Sequence, residues 1–255
     1  MSALTRLLAS FIALMMAMGI GRFSLTPQLP HLISEGQIDL TGAGLIAAAN
    51  YLGYLIGALD AIRARRPEQV RGRLHTGLWL CVVLTLISYW AQGFWPHLLL
   101  RFGAGVASAW VMVMITALSQ QIAVSADRPR LGALVFAGPG IGVVLTGLLA
   151  LFANVQGQNS SMLWLIYAVA ALLMLLVIMP ILPPANGLAP HMQTAPTSPR
   201  HPGITRLGAI YALYGLGYII PATFCRKWPA RNFAVNGKPI CSGQLSACAR
   251  PLAWC

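Results

Sequence analysis

The sequence contains few charged residues. Only 9% of its 255 residues are charged, and only five residues are acidic. A soluble domain carries about 25% charged residues, which help to keep its surface hydrated. So small a share cannot cover the surface of a water-soluble domain of this length, and the composition therefore excludes an ordinary soluble enzyme or binding module.

The sequence also lacks the residue spacings of common catalytic and metal sites. It contains no HExxH, GxSxG or P-loop motif, and no GxGxxG between a strand and a helix. Cys81 stands alone in an apolar block, and the other four cysteines form no CxxC pair: Cys225, Cys241, Cys248 and Cys255. We therefore predict no enzyme activity, no metal site and no cofactor.

The sequence also lacks the charge pattern of a protein that binds nucleic acids. The net charge of +12 is high, but the basic residues form short clusters between apolar blocks, without a basic face of interleaved aromatic residues. Such a face is typical of proteins that bind nucleic acids. The sequence therefore predicts a lipid bilayer, and not a nucleic acid, as the partner of this chain.

Long apolar blocks make up most of the sequence. Hydrophobic residues account for 57% of the chain, and the mean hydropathy is +0.70. Each block approaches the roughly 20 residues that span a bilayer core. The blocks predict an all-α, polytopic helix bundle of six spans in residues 1–182, with the start of a seventh at 207–224. The predicted spans are Leu7–Ile33, Leu40–Ala61, Leu74–Gln92, Leu98–Val124, Leu131–Ala153 and Met162–Leu182.

The loops between these blocks predict the orientation of the chain. Arginines cluster in alternate loops, within Arg63–Arg73, Arg128–Arg130 and Arg200–Arg206. The intervening loops contain no Arg or Lys, and the first of them holds only the acids Glu35 and Asp39. Because cytoplasmic loops are enriched in Lys and Arg, the N-terminus and the arginine-rich loops are predicted to be cytoplasmic.

Four polar residues inside the predicted spans are candidates for a substrate cavity. At ~1.5 Å per residue, Arg22 lies about 18 Å from the outer end of its span, and Asn50 and Tyr51 lie about 15 Å into theirs. Arg101 lies about 8 Å from the outer end of the fourth span. Intramembrane charges usually face a cavity or a partner, so the pattern predicts a cavity for an anionic or polar substrate. Carbonyl capping or snorkelling to the interface is the structural alternative.

The fourth and fifth spans each carry a short sequence motif. Gly138-Pro139-x-x-Gly142 predicts a kink or pivot, because proline removes a backbone hydrogen bond and the glycines soften the helix. It is similar to the glycine–proline motif in the fifth span of the major facilitator superfamily. Arg101-x3-Gly105 resembles the arginine motif of its fourth span.

Two further segments strengthen the resemblance. Gly57, Asp60 and Arg63 resemble the gating loop after the second span, although the motif is one residue short and lacks its second glycine. The strings MGIGRF at residues 18–23 and ANYLGYLIG at residues 49–57 are similar to the YbfB/YjiJ branch. The resemblance covers residues 5–224 and names no substrate.

The resemblance implies a secondary transporter that moves a small polar solute by alternating access between two six-helix bundles. It also implies a bacterial-type plasma (inner) membrane. Whether a proton is a coupling partner stays open, because Asp60, the only acid inside a predicted span, lies at the predicted cytoplasmic end of that span. The implied cavity residues are Arg22, Asn50, Tyr51 and Arg101, and the implied gating residues are Gly57, Asp60, Arg63, Gly138, Pro139 and Gly142.

The end of the sequence differs in character from the rest. Residues 183–206 are rich in Pro, Ser and Thr and predict a cytoplasmic linker. After Phe224, both lysines and four of the five cysteines occur, and the apolar pattern stops without a cap or turn signal. A shifted reading frame permits a helix-like continuation, so we predict that residues 225–255 are out of frame; a genuine divergent tail is the alternative. The second functional hypothesis follows: a truncated half-transporter that is inactive or needs a partner.

Overall fold

The computed structural model describes residues 2–182, except residues 65 and 128, and ten positions beyond them. The chain divides into two units, Met1–Gln193 and Thr194–Cys255. In the second unit, residues 206, 208, 210, 211, 213 and 217 are helical, and Ala234–Val235 (β1) pairs antiparallel with Lys238–Pro239 (β2). Apart from these positions, the predicted linker, seventh span and out-of-frame tail lie outside the described residues.

The first unit is a bundle of helices. Among the described residues, six helices are long and apolar enough to cross a membrane, which confirms the predicted all-α, polytopic fold. We number them as spans 1 to 6. They are Ala3–Ser34, Leu40–Ala61, Pro67–Ile87, Phe94–Ser125, Arg130–Val155 and Ser160–Ile178.

Span 1 changes helix type along its length. It consists of an α-helix (α1, Ala3–Leu14), a π-helical segment (Met15–Phe23) and a second α-helix (α2, Leu25–Ser34). π-Helical segments are rare and occur frequently at functional sites. The other helices are regular: α3 (Leu40–Ala61), α4 (Pro67–Ile87), α5 (Phe94–Ser125), α6 (Pro129–Leu134), α7 (Ala137–Val155) and α8 (Ser160–Ile178).

Span 3 begins earlier than hydropathy predicts. It starts at Pro67 rather than at Leu74. Proline suits the first turn of a helix, because no intrahelical partner exists there for the missing N–H group. The charged residues of the first two turns, such as Glu68 and Arg71, interrupt the apolar run without interrupting the helix.

Spans 2 and 4 pack closely through glycine. A Cβ added at Gly57 would lie only 2.6 Å from the carbonyl oxygen of Val106, and Gly53 and Gly105 are similarly close to backbone atoms of the facing helix. In a bilayer the hydrophobic effect does not drive helices together, and small residues let their backbones approach closely enough to pack. Gly57, one of the predicted gating residues, therefore lies in a helix–helix contact in the C-terminal half of span 2.

The outer surface of the bundle is apolar. Large hydrophobic side chains are exposed on several spans, including Leu55, Leu99, Phe152 and Leu173, each more than half exposed. Soluble monomers rarely expose large contiguous apolar surfaces. The exposed belt is the surface expected of a protein whose solvent is lipid.

Candidate functional site

Arg22 lies in a cluster of aromatic rings between spans 1 and 2. Its guanidinium carbon is 3.7 Å from the ring centroid of Tyr54, 5.3 Å from that of Tyr51 and 5.6 Å from that of Phe23. A cation over an aromatic face is attracted by the ring quadrupole. The rings therefore stabilise a charge inside a span without a carboxylate.

Asn50 fixes the backbone of the same cluster. Its side-chain Nδ2 donates a hydrogen bond to the carbonyl oxygen of Arg22 at 3.3 Å. Asn50 is only 4% exposed, and its Oδ1 has no hydrogen-bond partner among the described residues. The Nε of Arg22 is also buried and without a partner there. The Oδ1 of Asn50 and the Nε of Arg22 are thus two buried polar atoms that could bind a ligand or water.

The structure brings three of the four predicted cavity residues together: Arg22, Asn50 and Tyr51. It adds Tyr54, the ring closest to the guanidinium, which sequence reasoning did not select. Tyr54 could have been identified from the sequence, because residues three apart lie on the same face of a helix. Tyr51 and Tyr54 have that spacing in span 2.

Arg101 occupies a separate, enclosed position inside the bundle. Its side chain is 0% exposed. Its Nη2 donates to the Oγ of Ser88 at 3.1 Å, and its Nη1 lies 3.5 Å from the Oγ of Ser24. Its guanidinium carbon lies 4.5 Å from the ring centroid of Trp164. Arg101 therefore bridges spans 1, 3, 4 and 6 and does not join the Arg22 cluster.

The end of span 2, where gating residues are predicted, contains an ion pair. The Nε and Nη2 atoms of Arg73 donate to the two carboxylate oxygens of Asp60 at 2.8 and 3.1 Å. This bidentate pair joins the end of span 2 to span 3. The predicted gating residue Arg63 is exposed at the surface next to it. The partner of Asp60 is thus an arginine that the motif did not single out.

The glycine–proline motif of span 5 lies against the π-helical segment of span 1. A Cβ added at Gly138 would lie 2.6 Å from the carbonyl oxygen of Phe11, and one at Gly142 would lie 2.8 Å from the Cα of Gly19. Pro139 is in the first turn of α7, directly after the interruption between α6 and α7. The two glycines therefore make direct backbone contact with the span that carries Arg22.

A hydrogen-bonded cluster at the other end of the bundle joins the first loop to span 6. The backbone N–H of Ser160 donates to Oε1 of Glu35 at 2.6 Å, and the Ser160 hydroxyl donates to Oε2. Gln28 and Gln37 donate to the carbonyl and hydroxyl oxygens of Ser160, respectively. A carboxylate at a helix N-terminus is favourable, because it meets free N–H groups and the positive end of the helix dipole.

The five acids of the chain, all of which the structure describes, lie at the ends of spans. Glu35 bonds Ser160, Asp39 caps span 2 through the Gly42 N–H at 2.7 Å, and Asp60 pairs with Arg73. Glu68 lies in the first turn of span 3, and Asp127 follows span 4. None of them forms an ion pair with Arg22 or Arg101.

The comparisons with known proteins agree with this architecture. No curated protein sequence matches the chain significantly. A protein-family profile described as "Uncharacterised MFS-type transporter YbfB" matches residues 14–238. The match includes every candidate cavity and gating residue and extends into residues 225–255. The chain therefore belongs to the major facilitator superfamily, in its YbfB-type branch of membrane transporters.

Proposed function

We propose that the chain moves a small polar solute by alternating access and binds it at Arg22, Asn50 and Tyr51. One observation carries this proposal: a half-buried guanidinium inside a span lies among aromatic rings, with an unpartnered amide oxygen beside it. An intramembrane charge is costly and is usually retained for function.

The proposed cavity role of Arg101 requires a second conformation. In the structure, Arg101 is fully enclosed and contacts Ser24 of span 1 and Ser88, which directly follows span 3. It reaches a solute only when span 4 separates from these neighbours. Helix movement of this kind is the basis of alternating access.

The gate is proposed to involve Gly57, Asp60 and Arg63, with Arg73 as the partner of Asp60. Pro139, with Gly138 and Gly142, is proposed to serve the rocking of span 5 against span 1. These roles rest on the Asp60–Arg73 pair and on the glycine contacts. The proposed location is a bacterial-type inner membrane, with the N-terminus and the gate in the cytoplasm.

Uptake into proteoliposomes tests the proposal. The purified 255-residue protein would be reconstituted and supplied with radiolabelled carboxylates, amines, amino acids and sugars in turn. We expect saturable uptake of one class, its loss in Arg22→Ala and Arg101→Ala, and its retention in Arg71→Ala, which removes an exposed arginine. Full uptake in both of the first two variants would refute the site assignment.

The half-transporter hypothesis predicts a different result in the same assay. It predicts no uptake by the 255-residue protein and uptake by a version in which the reading frame after codon 224 is restored. Resequencing codons 215–255 comes first, because it decides which of the two proteins the gene encodes.

A further inference from the structure

The balance of charge within the spans identifies the class of solute. Arg22 and Arg101 are the arginines that sequence analysis found inside apolar blocks, and neither is paired with any of the five acids, all of which are described. The rings around Arg22 attract a cation through their quadrupoles but carry no formal charge. The positive charge of Arg22 is therefore not neutralised by any acidic side chain in the part of the chain that the structure describes.

Two guanidiniums differ in what they can offer a solute. Arg101 is enclosed, and two serine hydroxyls and an indole ring surround it. Arg22 is half-buried, and its buried Nε has no hydrogen-bond partner in the described residues. The Nε of Arg101 is likewise buried without a partner among the described residues, so the two arginines differ in access, and Arg22 is the one with an open side.

The surroundings of Arg22 strengthen its attraction for an anion. Tyr51, Tyr54 and Phe23 exclude water from part of the guanidinium. A charge interaction is stronger where the local dielectric is lower than that of water. The same field repels a cationic solute and gives no advantage to a neutral one.

We infer that the transported solute is a small organic anion with one carboxylate, which provides the counter-charge of Arg22. A carboxylate matches the planar, forked donors of a guanidinium and forms charge-assisted hydrogen bonds with it. The unpartnered Oδ1 of Asn50 favours a carboxylate that also carries a hydrogen-bond donor, such as a hydroxyl group. This inference rests on the proposed function, since it names the substrate class of the same site.

Ligand-dependent thermal unfolding of the purified protein tests the inference separately from transport. The probes are acetate, lactate and benzoate, each compared with its neutral amide, and benzylamine serves as the cation. A ligand that binds the folded state raises the unfolding temperature by mass action. We expect a saturable rise with at least one carboxylate and no rise with its amide or with benzylamine.

Variants of Arg22 decide whether that rise belongs to the proposed site. Arg22→Gln should weaken carboxylate binding by about 10-fold to 100-fold, the usual worth of a hydrogen bond to a charged group. Arg71→Gln removes an exposed arginine and should leave the affinity unchanged. Arg22→Lys, which keeps the charge but loses the fork, should bind with intermediate affinity.

The outcomes separate the inference from the proposed function. Carboxylate binding that Arg22→Gln removes, without uptake in proteoliposomes, supports the anion site and refutes transport by this chain. Uptake of an amine or a sugar that no carboxylate inhibits supports transport and overturns the anion inference. The inference is also overturned when no carboxylate raises the unfolding temperature, or when Arg22→Gln responds like the unmodified protein.

Discussion

The ring of Tyr54 lies over the guanidinium of Arg22, with 3.7 Å between the ring centroid and the guanidinium carbon. This contact joins the π-helical segment of span 1 to span 2. It replaces the ion pair that would otherwise stabilise a charge inside the membrane. The first prediction concerns this contact.

Tyr54→Leu should lower the free energy of unfolding by about 1 kcal/mol, because it removes a cation–π contact in a partly desolvated site. Thermal unfolding in detergent measures the change. Tyr54→Phe retains the ring and should recover most of the loss. Equal destabilisation by the two variants would show that the hydroxyl group, rather than the ring, holds Arg22.

Arg101→Met should leave stability unchanged or raise it, and should abolish uptake. An enclosed charge without a carboxylate is costly, and an apolar residue of similar length removes that cost. The hydroxyls of Ser24 and Ser88 stay satisfied, because they also donate to the carbonyl oxygens of Ile20 and Leu84. Unfolding of Arg101→Met at a clearly lower temperature would instead assign Arg101 a structural role.

Gly142→Ala should destabilise the protein by about 1–3 kcal/mol, the usual cost of overpacking. The added methyl group would lie 2.8 Å from the Cα of Gly19, and backbone cannot rotate away as a side chain can. Gly140→Ala is the matched control in the same helix, since its added Cβ would meet no atom within 4 Å beyond its chain neighbours and the backbone of its own helix. That control should stabilise the helix by about 0.5–1 kcal/mol; similar losses in both variants would contradict the packing argument.

Exchange of the charges at Asp60 and Arg73 tests the gate. Asp60→Arg and Arg73→Asp should each reduce the rate of uptake, whereas the double variant should recover part of it. Because both side chains are partly exposed, at 33% and 22%, the pair contributes little stability. The unfolding temperature should therefore change little, and a double variant as slow as the single ones would refute a paired gate.

The Glu35–Ser160 cluster predicts a loss of stability in acid. Partial burial raises the pKa of Glu35, but the hydrogen bonds from Ser160 and Gln37 lower it more, so the pKa lies below its ordinary value of 4.5. A carboxylate with a depressed pKa contributes stability above its unfolded-state pKa and loses that contribution as the pH falls through its folded-state pKa. The contribution is thus present near neutral pH and is lost below about 4.5.

Unfolding temperatures measured from pH 7 to pH 3 check this contribution. Glu35→Gln should flatten part of the acid limb of the curve, because its amide does not titrate. Glu68→Gln, which removes an exposed carboxylate from span 3, should keep that limb. Identical acid limbs for Glu35→Gln and the unmodified protein would contradict the prediction.

The fold could be predicted from the sequence because the bilayer sets both the length and the polarity of each span. The proximity of Arg22 to Asn50 and Tyr51 could also be predicted, because the rise per residue of a helix gives the depth of each residue below the outer end of its span. The π-helical segment could not be counted in this way. No residue pattern in Met15–Phe23 distinguishes it from an α-helix, and the structure places this segment against span 5 at Gly19.

Contacts between distant parts of the chain account for the remaining differences. The pairing of Asp60 with Arg73, rather than with Arg63, depends on how spans 2 and 3 cross. The positions of Ser24 and Ser88 around Arg101 depend on three helices at once. Helical spacing places residues within one helix, but it does not specify which neighbour a face meets.

The contact between Gly19 and Gly142 affects how a complete substitution scan of this protein should be interpreted. Both positions would score as intolerant to almost every change, although the requirement there is for space between two backbones. A map of essential positions drawn from transport activity alone would therefore extend the proposed solute site into span 5. Measuring the amount of folded protein together with transport would identify the positions that matter only for packing, and would confine the proposed solute site to the residues around Arg22.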